Sequence, residues 1–382
     1  MRVVIAPDKF RGSLTATEAA QAVAAGVRRA CPSALIDLAP MADGGEGTVE
    51  ALVEAIGGTI QTALVTGPLG GLLQADFGLL GNNRSAVVAM SAASGLSLIP
   101  VADRDPTRTT TRGTGELILA ALASGVDHLI VGIGGSATND GGAGMAQAVG
   151  FRLLDRDGRE LPSGGGALGQ LDRIVSAAVD PRVYQVRIEV ACDVTNPLCG
   201  PDGASSVFGP QKGANPDQVR RLDANLRHFA TIIQRDLGVA ILDLAGGGAA
   251  GGLGAGLVAF AGATLRSGID LVIDAVGLRD RLQGADLCFS GEGSLDASTA
   301  SGKTVVGVAG LARSLGVPTI VLAGTVGPGA EAILDQGATA FFSICPGPIK
   351  LEEAIDRADS LLATAAEQAT RVFLAGSTRL HR

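Results

Sequence analysis

Short apolar strands that alternate with helices occur at both ends of the chain, and neither end has enough of them for a parallel sheet. Near the amino end, residues 3–6 have the continuous apolar pattern of a strand buried on both faces, and residues 34–38 form a second short strand. The same pattern returns near the carboxyl end, at residues 287–290, 319–323 and 340–344. Since a parallel sheet needs several consecutive βαβ units, we predict that the two ends complete one sheet.

The middle of the chain predicts a different kind of sheet. Short strands at 60–65, 72–79 and 86–90 are joined by glycine-containing turns, a spacing typical of an antiparallel meander. Residues 151–161 read as a hairpin that turns at Asp157 and Gly158.

The chain is therefore predicted to be an α/β protein with two α/β domains. A parallel Rossmann- or flavodoxin-like sheet is formed by residues 1–58 and 266–382, and it is interrupted by an inserted mixed-sheet domain at 59–265. We expect a ligand cleft at the seam of two such domains.

Composition excludes several classes of protein. The formal charge is −8, and the chain has no Trp and one Tyr, so neither nucleic acid nor an anionic membrane is an expected partner. Five cysteines without a C-x-x-C pair and three histidines at no ligand spacing argue against a disulfide framework, structural zinc and Ser-His-Asp hydrolysis. The first strand stops at Pro7-Asp8 without the apolar run of a signal peptide, and the uncharged stretch 244–265 is too rich in glycine for a membrane span. We predict a cytoplasmic protein.

Four loops that mix glycine with polar residues point to phosphate chemistry. They lie at 7–13, 43–47, 134–142 and 291–294, each after a predicted strand. Glycine leaves backbone N–H groups free to face an anion, and Asp, Glu and Asn supply the oxygen ligands that Mg²⁺ prefers. Three of the four lysines in the chain also lie in or beside candidate site loops: Lys9, Lys212 and Lys303.

Two further glycine motifs allow more than one interpretation. Residues 297–304 fit a loose Walker A pattern, but no strand runs directly into it and the next strand ends without an acidic Mg²⁺ partner, which disfavours a P-loop enzyme. Residues 246–252 could form a phosphate cradle or could allow tight helix packing.

The motifs together resemble bacterial type I glycerate kinases over essentially the whole length of the chain. The matching stretches are IAPDKFRGSLTA (5–16), ADGGEGT (42–48), TGPLG (66–70), TRGTGELI (111–118), IGGSATNDGGAGM (133–145), ACDVTNPLCG (191–200), FGPQKGA (208–214), GAAGGLGAGL (248–257) and SGEGSLD (290–296). The resemblance implies two α/β domains and ATP-dependent phosphorylation of D-glycerate, with 2-phospho-D-glycerate as the general product of such bacterial enzymes.

The chain departs from the commoner family pattern at four positions. Lys9 and Arg11 replace the frequent Ser and Lys of the first loop, Ser294 stands where Arg is frequent, and Ser298 where Gln is frequent. Any ligand contacts that relatives make through these positions must be remade here.

Phosphoryl transfer needs positioned phosphates, charge neutralisation and a group that accepts the hydroxyl proton. The predicted catalytic residues are Asp193 as the base, with Asp43 as the second choice, and Lys212. Mg²⁺ is placed on Asp140 or Asp193. The predicted ATP-binding residues are Gly134, Gly135, Ser136, Thr138, Asn139, Gly141, Gly142, Glu292 and Lys303. The predicted D-glycerate-binding residues are Lys9, Arg11, Ser13 and Glu46.

Two alternatives remain open from the sequence. A glycerate 3-kinase, which would give 3-phospho-D-glycerate, shares all these features. A non-catalytic nucleotide- or anion-binding module would need the backbone loops but not the acidic residues beside them, and their concentration next to glycine favours an enzyme.

Overall fold

The computed structural model of the protein describes residues 1–42, 47–81, 84–297 and 304–380, with side chains as far as residue 376. Its strands are β1 Arg2–Ile5, β2 Leu35–Leu38, β3 Thr59–Thr66, β4 Leu72–Leu79, β5 Ser85–Ala89, β6 His128–Gly132, β7 Arg152–Leu154, β8 Arg173–Val175, β9 Arg187–Ala191, β10 Thr264–Arg266, β11 Leu287–Leu295, β12 Thr319–Val326 and β13 Ala340–Ser343.

The helices follow the strands as α/β alternation requires. They are α1 Ala16–Ala30, α2 Thr48–Ile56, α3 Ser91–Ser94, α4 Arg112–Ala123, α5 Ala143–Ala148, α6 Ala204–Phe208, α7 Pro216–Leu237, α8 Leu253–Ala261, α9 Gly268–Ala275, α10 Leu278–Leu282, α11 Thr304–Ser314, α12 Ala332–Asp335, α13 Leu351–Asp356 and α14 Ala358–Leu380. In the described part of the chain, no helix combines the length and the apolar character that crossing a membrane requires.

Backbone contacts divide the chain into two compact units. The first comprises residues 1–43, 54–56 and 272–382, and the second comprises residues 44–53 and 57–271. The predicted boundaries at residues 58 and 266 separate domains in the sense of parts that fold independently. A division by backbone contacts does not test that, so these boundaries stay a prediction.

The first unit contains a five-stranded parallel sheet in the order β13-β12-β11-β1-β2. Residues Val3 to Ile5 of β1, an interior strand between β11 and β2, are fully buried, as their apolar pattern requires. Helix α1 begins with a capping box between Thr15 and Glu18, and it packs closely on α14, where a Cβ placed on Gly26 would lie 2.1 Å from the Ala363 carbonyl oxygen. The prediction that the two ends of the chain form one parallel sheet is confirmed.

One predicted loop of this unit is wrong. Residues 291–294, expected to form a loop, continue strand β11, where Glu292 pairs with Ala323 and Ser294 with Thr325. Glycine makes the longer pairing possible, because a Cβ on Gly291 would lie 2.3 Å from the Leu322 carbonyl oxygen. The glycines therefore serve close strand approach rather than a turn.

The second unit contains a six-stranded mixed sheet in the order β10-β9-β6-β5-β4-β3. Strands β10, β9, β6 and β5 are parallel, and β5, β4 and β3 form the antiparallel meander. The predicted inserted mixed sheet is confirmed, and so is the α/β fold class.

The predicted hairpin at 151–161 is only partly correct. The turn exists, because the backbone N–H groups of Asp157 and Arg159 both donate to Asp155 Oδ1 at 2.9 Å. The returning strand pairs through a single bridge, Leu154 with Glu160, whereas β7 forms its ladder with β8. Strands β8 and β10 were not predicted, since three-residue strands carry too few positions to show a period.

Candidate active site

Strands β5, β6, β9 and β10 of the second sheet are parallel, so their carboxyl ends lie along the same edge of the sheet, the edge at which the strands end. The register pairs Gly132 of β6 with Ala191 of β9. Gly134 and Asp193 each follow these paired residues by two positions, so they leave the sheet at the same edge. Ligands of α/β sheets collect beyond this edge of the strands.

The segment 134–142, which we call the glycine loop, leaves this edge after β6. Gly134 and Gly135 are exposed, whereas residues 137 to 140 are buried. Gly141 and Gly142 both have positive φ, +62° and +81°, so the turn into α5 strains any other residue. The loop thus presents bare backbone to solvent and anchors itself through its buried half.

Asp140 is the main anchor of the glycine loop. Its Oδ2 accepts hydrogen bonds from the backbone N–H and the hydroxyl of Thr111, both at 2.9 Å, and from Gly144 N–H at 3.2 Å. Its Oδ1 accepts from Gly142 N–H at 3.1 Å. Burial raises the pKa of the Asp140 carboxyl, and the hydrogen bonds oppose that shift.

A threonine-rich segment, for which no role was predicted, supports the glycine loop from its buried side. Thr109 donates its hydroxyl hydrogen to the Ala137 carbonyl at 2.9 Å, and the Thr111 hydroxyl also accepts from Met145 N–H at 2.9 Å. Both threonines are fully buried. The sequence signal that could have identified this segment is the density of threonines at 107–114, which overlaps the family-like stretch TRGTGELI at 111–118.

Lys212 lies beneath the loop rather than on it. Only 1% of the residue is exposed, and its Nζ donates to Ser136 Oγ and to the Thr138 carbonyl oxygen, both at 2.7 Å. Burial lowers the Lys212 pKa to about 7, against a weaker opposing effect of the Asp140 carboxylate. These contacts suit a residue that positions the loop.

The stability of the protein should therefore depend on pH through Lys212. The unfolded chain holds this proton up to the ordinary lysine pKa of 10.5, whereas the folded chain releases it near 7. Between these values the unfolded state binds more protons, so the free energy of unfolding should rise with pH, by up to about 1.4 kcal/mol per unit. Denaturation of the wild type and of Lys212→Met at pH 7 and pH 9 measures this pH dependence. The free energy of unfolding of the wild type should rise between the two pH values relative to that of the variant. An unchanged difference would contradict the lowered pKa of Lys212.

The glycine passage at 246–256 packs against the glycine loop. Gly141 N–H donates to the Gly251 carbonyl at 3.0 Å, and a Cβ on Gly251 would lie 1.9 Å from the Thr138 carbonyl oxygen. A Cβ on Gly256 would lie 2.4 Å from the Gly141 carbonyl oxygen. Residues 246–252 were left open as either a phosphate cradle or a site of tight helix packing. These contacts show tight packing.

Asp193 differs from Asp140 because it is exposed. Its Oδ1 accepts from Gly268 N–H at 2.8 Å and from Ser267 Oγ at 3.2 Å, which ties it to the segment that follows β10. Within the described part of the chain, its Oδ2 accepts no hydrogen bond. One oxygen is therefore anchored while the other is available.

The predicted substrate residues of the first unit lie on the segment after β1. Asp8 N–H donates to the Gly291 carbonyl at 2.8 Å, which brings this segment beside β11 and Glu292. Arg11 is exposed, Lys9 is half-buried, and Ser13 Oγ donates to the Phe10 carbonyl at 3.0 Å. No role was predicted for the buried Asp8, whose Oδ2 accepts a hydrogen bond from Thr304 Oγ1 at 2.7 Å.

Several predicted residues lie outside the described residues. They are Asp43, Glu46, Ser298 and Lys303, together with most of the Walker-like stretch at 297–304. Their roles stay predictions.

The described residues fit Mg²⁺ held together with phosphates rather than a closed metal site. Among residues 1–42, 47–81, 84–297 and 304–380, no group of three or more His, Cys, Asp or Glu side chains could hold a metal ion. Mg²⁺ usually takes one or two carboxylates and completes its shell with phosphates and water. The exposed Asp193 suits this, whereas the Asp140 carboxylate already accepts four hydrogen bonds, so its contacts weigh against the metal role predicted for it.

Comparison with known proteins shows the family to which the chain belongs. The model of the glycerate kinase family matches residues 3–374. The chain is 52% identical to a glycerate kinase of Bacillus subtilis, with 94% of each chain covered, and 48% identical to a glycerate 2-kinase of Escherichia coli, with 93% of each covered. A crystal structure of a Salmonella typhimurium LT2 protein assigned as glycerate kinase 2 superposes with a TM-score of 0.90 at 50% identity, over 99% of both chains. The chain belongs to the glycerate kinase family, as the resemblance implied.

Proposed function

We propose that this protein transfers the γ-phosphoryl group of ATP to D-glycerate and yields 2-phospho-D-glycerate. Family membership supports a glycerate kinase, and the Escherichia coli relative named glycerate 2-kinase supports the position of transfer. The observation that carries the proposal is the exposed Asp193 carboxylate at the same sheet edge as the glycine loop. A cytoplasmic location remains a prediction from the sequence.

The glycine loop is the proposed phosphate-binding element. Gly134 and Gly135 are exposed, and as glycines they carry no side chain of their own between the backbone N–H groups and a phosphate. Asp140, Thr111 and Lys212 hold the loop from its buried side through the hydrogen bonds described above. A loop fixed in advance loses little entropy when the phosphates bind.

Asp193 is the proposed general base. As the acceptor hydroxyl oxygen forms its bond to the γ-phosphorus, the hydroxyl proton passes to Asp193 Oδ2, and the bond to the β–γ bridging oxygen breaks to release ADP. The hydrogen bonds from Gly268 and Ser267 hold Oδ1 and so orient Oδ2. Mg²⁺ on Asp193 is the alternative role of the same carboxylate, since Oδ2 is its one available oxygen among the residues that the structure describes, and an oxygen that binds a metal ion accepts a proton poorly. Held there, Mg²⁺ would neutralise developing charge on the phosphates.

The D-glycerate carboxylate requires a cation, and Lys9 and Arg11 are the proposed donors, with Ser13 beside them. Arg11 is exposed and can offer a planar pair of donors to a carboxylate. The proposals for Glu46, Glu292 and Lys303 rest on the sequence.

Incubation with Mg-ATP and D-glycerate, followed by ³¹P NMR, tests the function. We expect ADP and one new phosphomonoester resonance that matches authentic 2-phospho-D-glycerate. A match to 3-phospho-D-glycerate would establish the alternative 3-kinase. Binding of ATP without any phosphomonoester would support the non-catalytic module.

A further inference from the structure

Strand β3, one edge of the second sheet, carries apolar side chains that remain in contact with solvent. Ile60 is 41% exposed and Leu64 is 66% exposed. Both lie on the same face of the strand, since they are separated by an even number of residues. On that face Thr62 lies between them and is held by a hydrogen bond to Asp76 of β4.

Among the described residues, the outward backbone groups at the alternate positions 60, 62 and 64 of β3 have no hydrogen-bond partner. The hairpin is closed by Gly67 N–H, which donates to the Gly71 carbonyl at 2.6 Å. Because antiparallel ladders bond at every second residue, residues 65, 63 and 61 bond towards β4, and residues 64, 62 and 60 point away from it. The Thr66 N–H confirms this parity, because it donates to the Glu116 carboxylate of α4 at 2.6 Å rather than to β4.

The other sheet edges are short or charged, whereas β3 is neither. Strand β10, at the opposite edge of the same sheet, has three residues and ends in Arg266, which pairs with Glu189. The edges of the first sheet, β2 and β13, have four residues each. Strand β3 has eight residues and contains no charged residue, proline or glycine. Proteins usually protect an edge of this kind from unwanted strand pairing.

We propose that β3 is the interface of a homodimer, in which it pairs antiparallel with β3 of a second copy about Thr62. In this register Thr62 faces Thr62 of the second copy, and Ile60 faces Leu64 of the second copy, twice by symmetry. The outward N–H and C=O groups of residues 60, 62 and 64 then bond to the same groups across the axis.

The occupant is a second copy because the edge is complementary to itself. A charged residue at the axis would face its own copy, and charged residues of one sign on either side of it would face each other, but β3 has no charged residue. Apolar residues spaced equally on either side of Thr62 meet apolar residues when the strand is reversed. The two-fold axis also limits the assembly to two copies. Each copy uses its β3 in the pairing, so no β3 remains free to bind a third copy. This proposal is independent of the proposed function.

Analytical ultracentrifugation of the full chain tests the interface with a matched pair of variants. Leu64→Lys places two ammonium groups at the interface and should raise the dimer dissociation constant more than about tenfold. Leu72→Lys makes the same change at a residue that is 71% exposed, but on β4, so it should leave the dimer largely intact. A monomeric wild type at micromolar concentration, or equal effects of the two variants, would overturn the proposal.

Hydrogen exchange gives a second readout that does not depend on a substitution. In the dimer the amides of Ile60, Thr62 and Leu64 should exchange as slowly as those of residues 61 and 63, and dilution should remove this protection. Fast exchange at 60, 62 and 64 in a dimeric sample would place the interface elsewhere.

Discussion

Replacement of Asp193 by asparagine is expected to lower kcat by about two to four orders of magnitude, because the amide cannot accept the hydroxyl proton. Gly268 N–H and Ser267 Oγ can still donate to the amide oxygen of the new side chain, so its position should be kept. The KM for ATP should change far less, since the glycine loop is untouched. Steady-state kinetics with saturating D-glycerate and varied Mg-ATP separate the two parameters.

The matched control is Asp157→Asn, an exposed aspartate in the turn after β7. It should keep wild-type kcat and KM. Asp193→Asn with more than about a third of wild-type kcat would remove Asp193 from the role of base, since general bases contribute much larger factors. The second choice, Asp43, would then be the variant to measure.

The two sheets were predictable because each follows from local patterns. Continuous apolar runs marked the buried parallel strands, and glycine turns at short spacing marked the meander. The strand extension at 291–295 was not predictable, since glycine and glutamate are poor strand formers. Only the partner strand explains it: a Cβ on Gly324 of β12 would lie 2.6 Å from the Gly293 carbonyl oxygen.

The candidate site was predictable in its position but not in the division of roles. Sequence order placed Asp140 and Asp193 in equivalent loops after strands β6 and β9, so either could be assigned to Mg²⁺. Their burial separates them, because Asp140 is fully buried and Asp193 is exposed. The donors that occupy Asp140 include Thr111, which lies 29 residues earlier in the chain. No local pattern reveals a partner at that distance.

The Asp140 carboxylate should accordingly matter for stability. Asparagine has one acceptor oxygen, so its amide nitrogen must replace Oδ1 or Oδ2, and both of these receive only donors. Asp140→Asn therefore loses at least one buried hydrogen bond to a charged acceptor and leaves an N–H group unpaired. We expect a loss of about 3 kcal/mol in the free energy of unfolding.

Urea denaturation followed by circular dichroism measures this loss, since the chain has no Trp to serve as a fluorescent probe. Asp157→Asn is again the matched control, and it should lie within about 0.5 kcal/mol of the wild type. Thr111→Val removes only the hydroxyl from the same network and should fall between the two. Equal stability of Asp140→Asn and Asp157→Asn would show that the four hydrogen bonds do not anchor the loop. The available carboxylate of Asp140 would then make it a candidate for Mg²⁺ again.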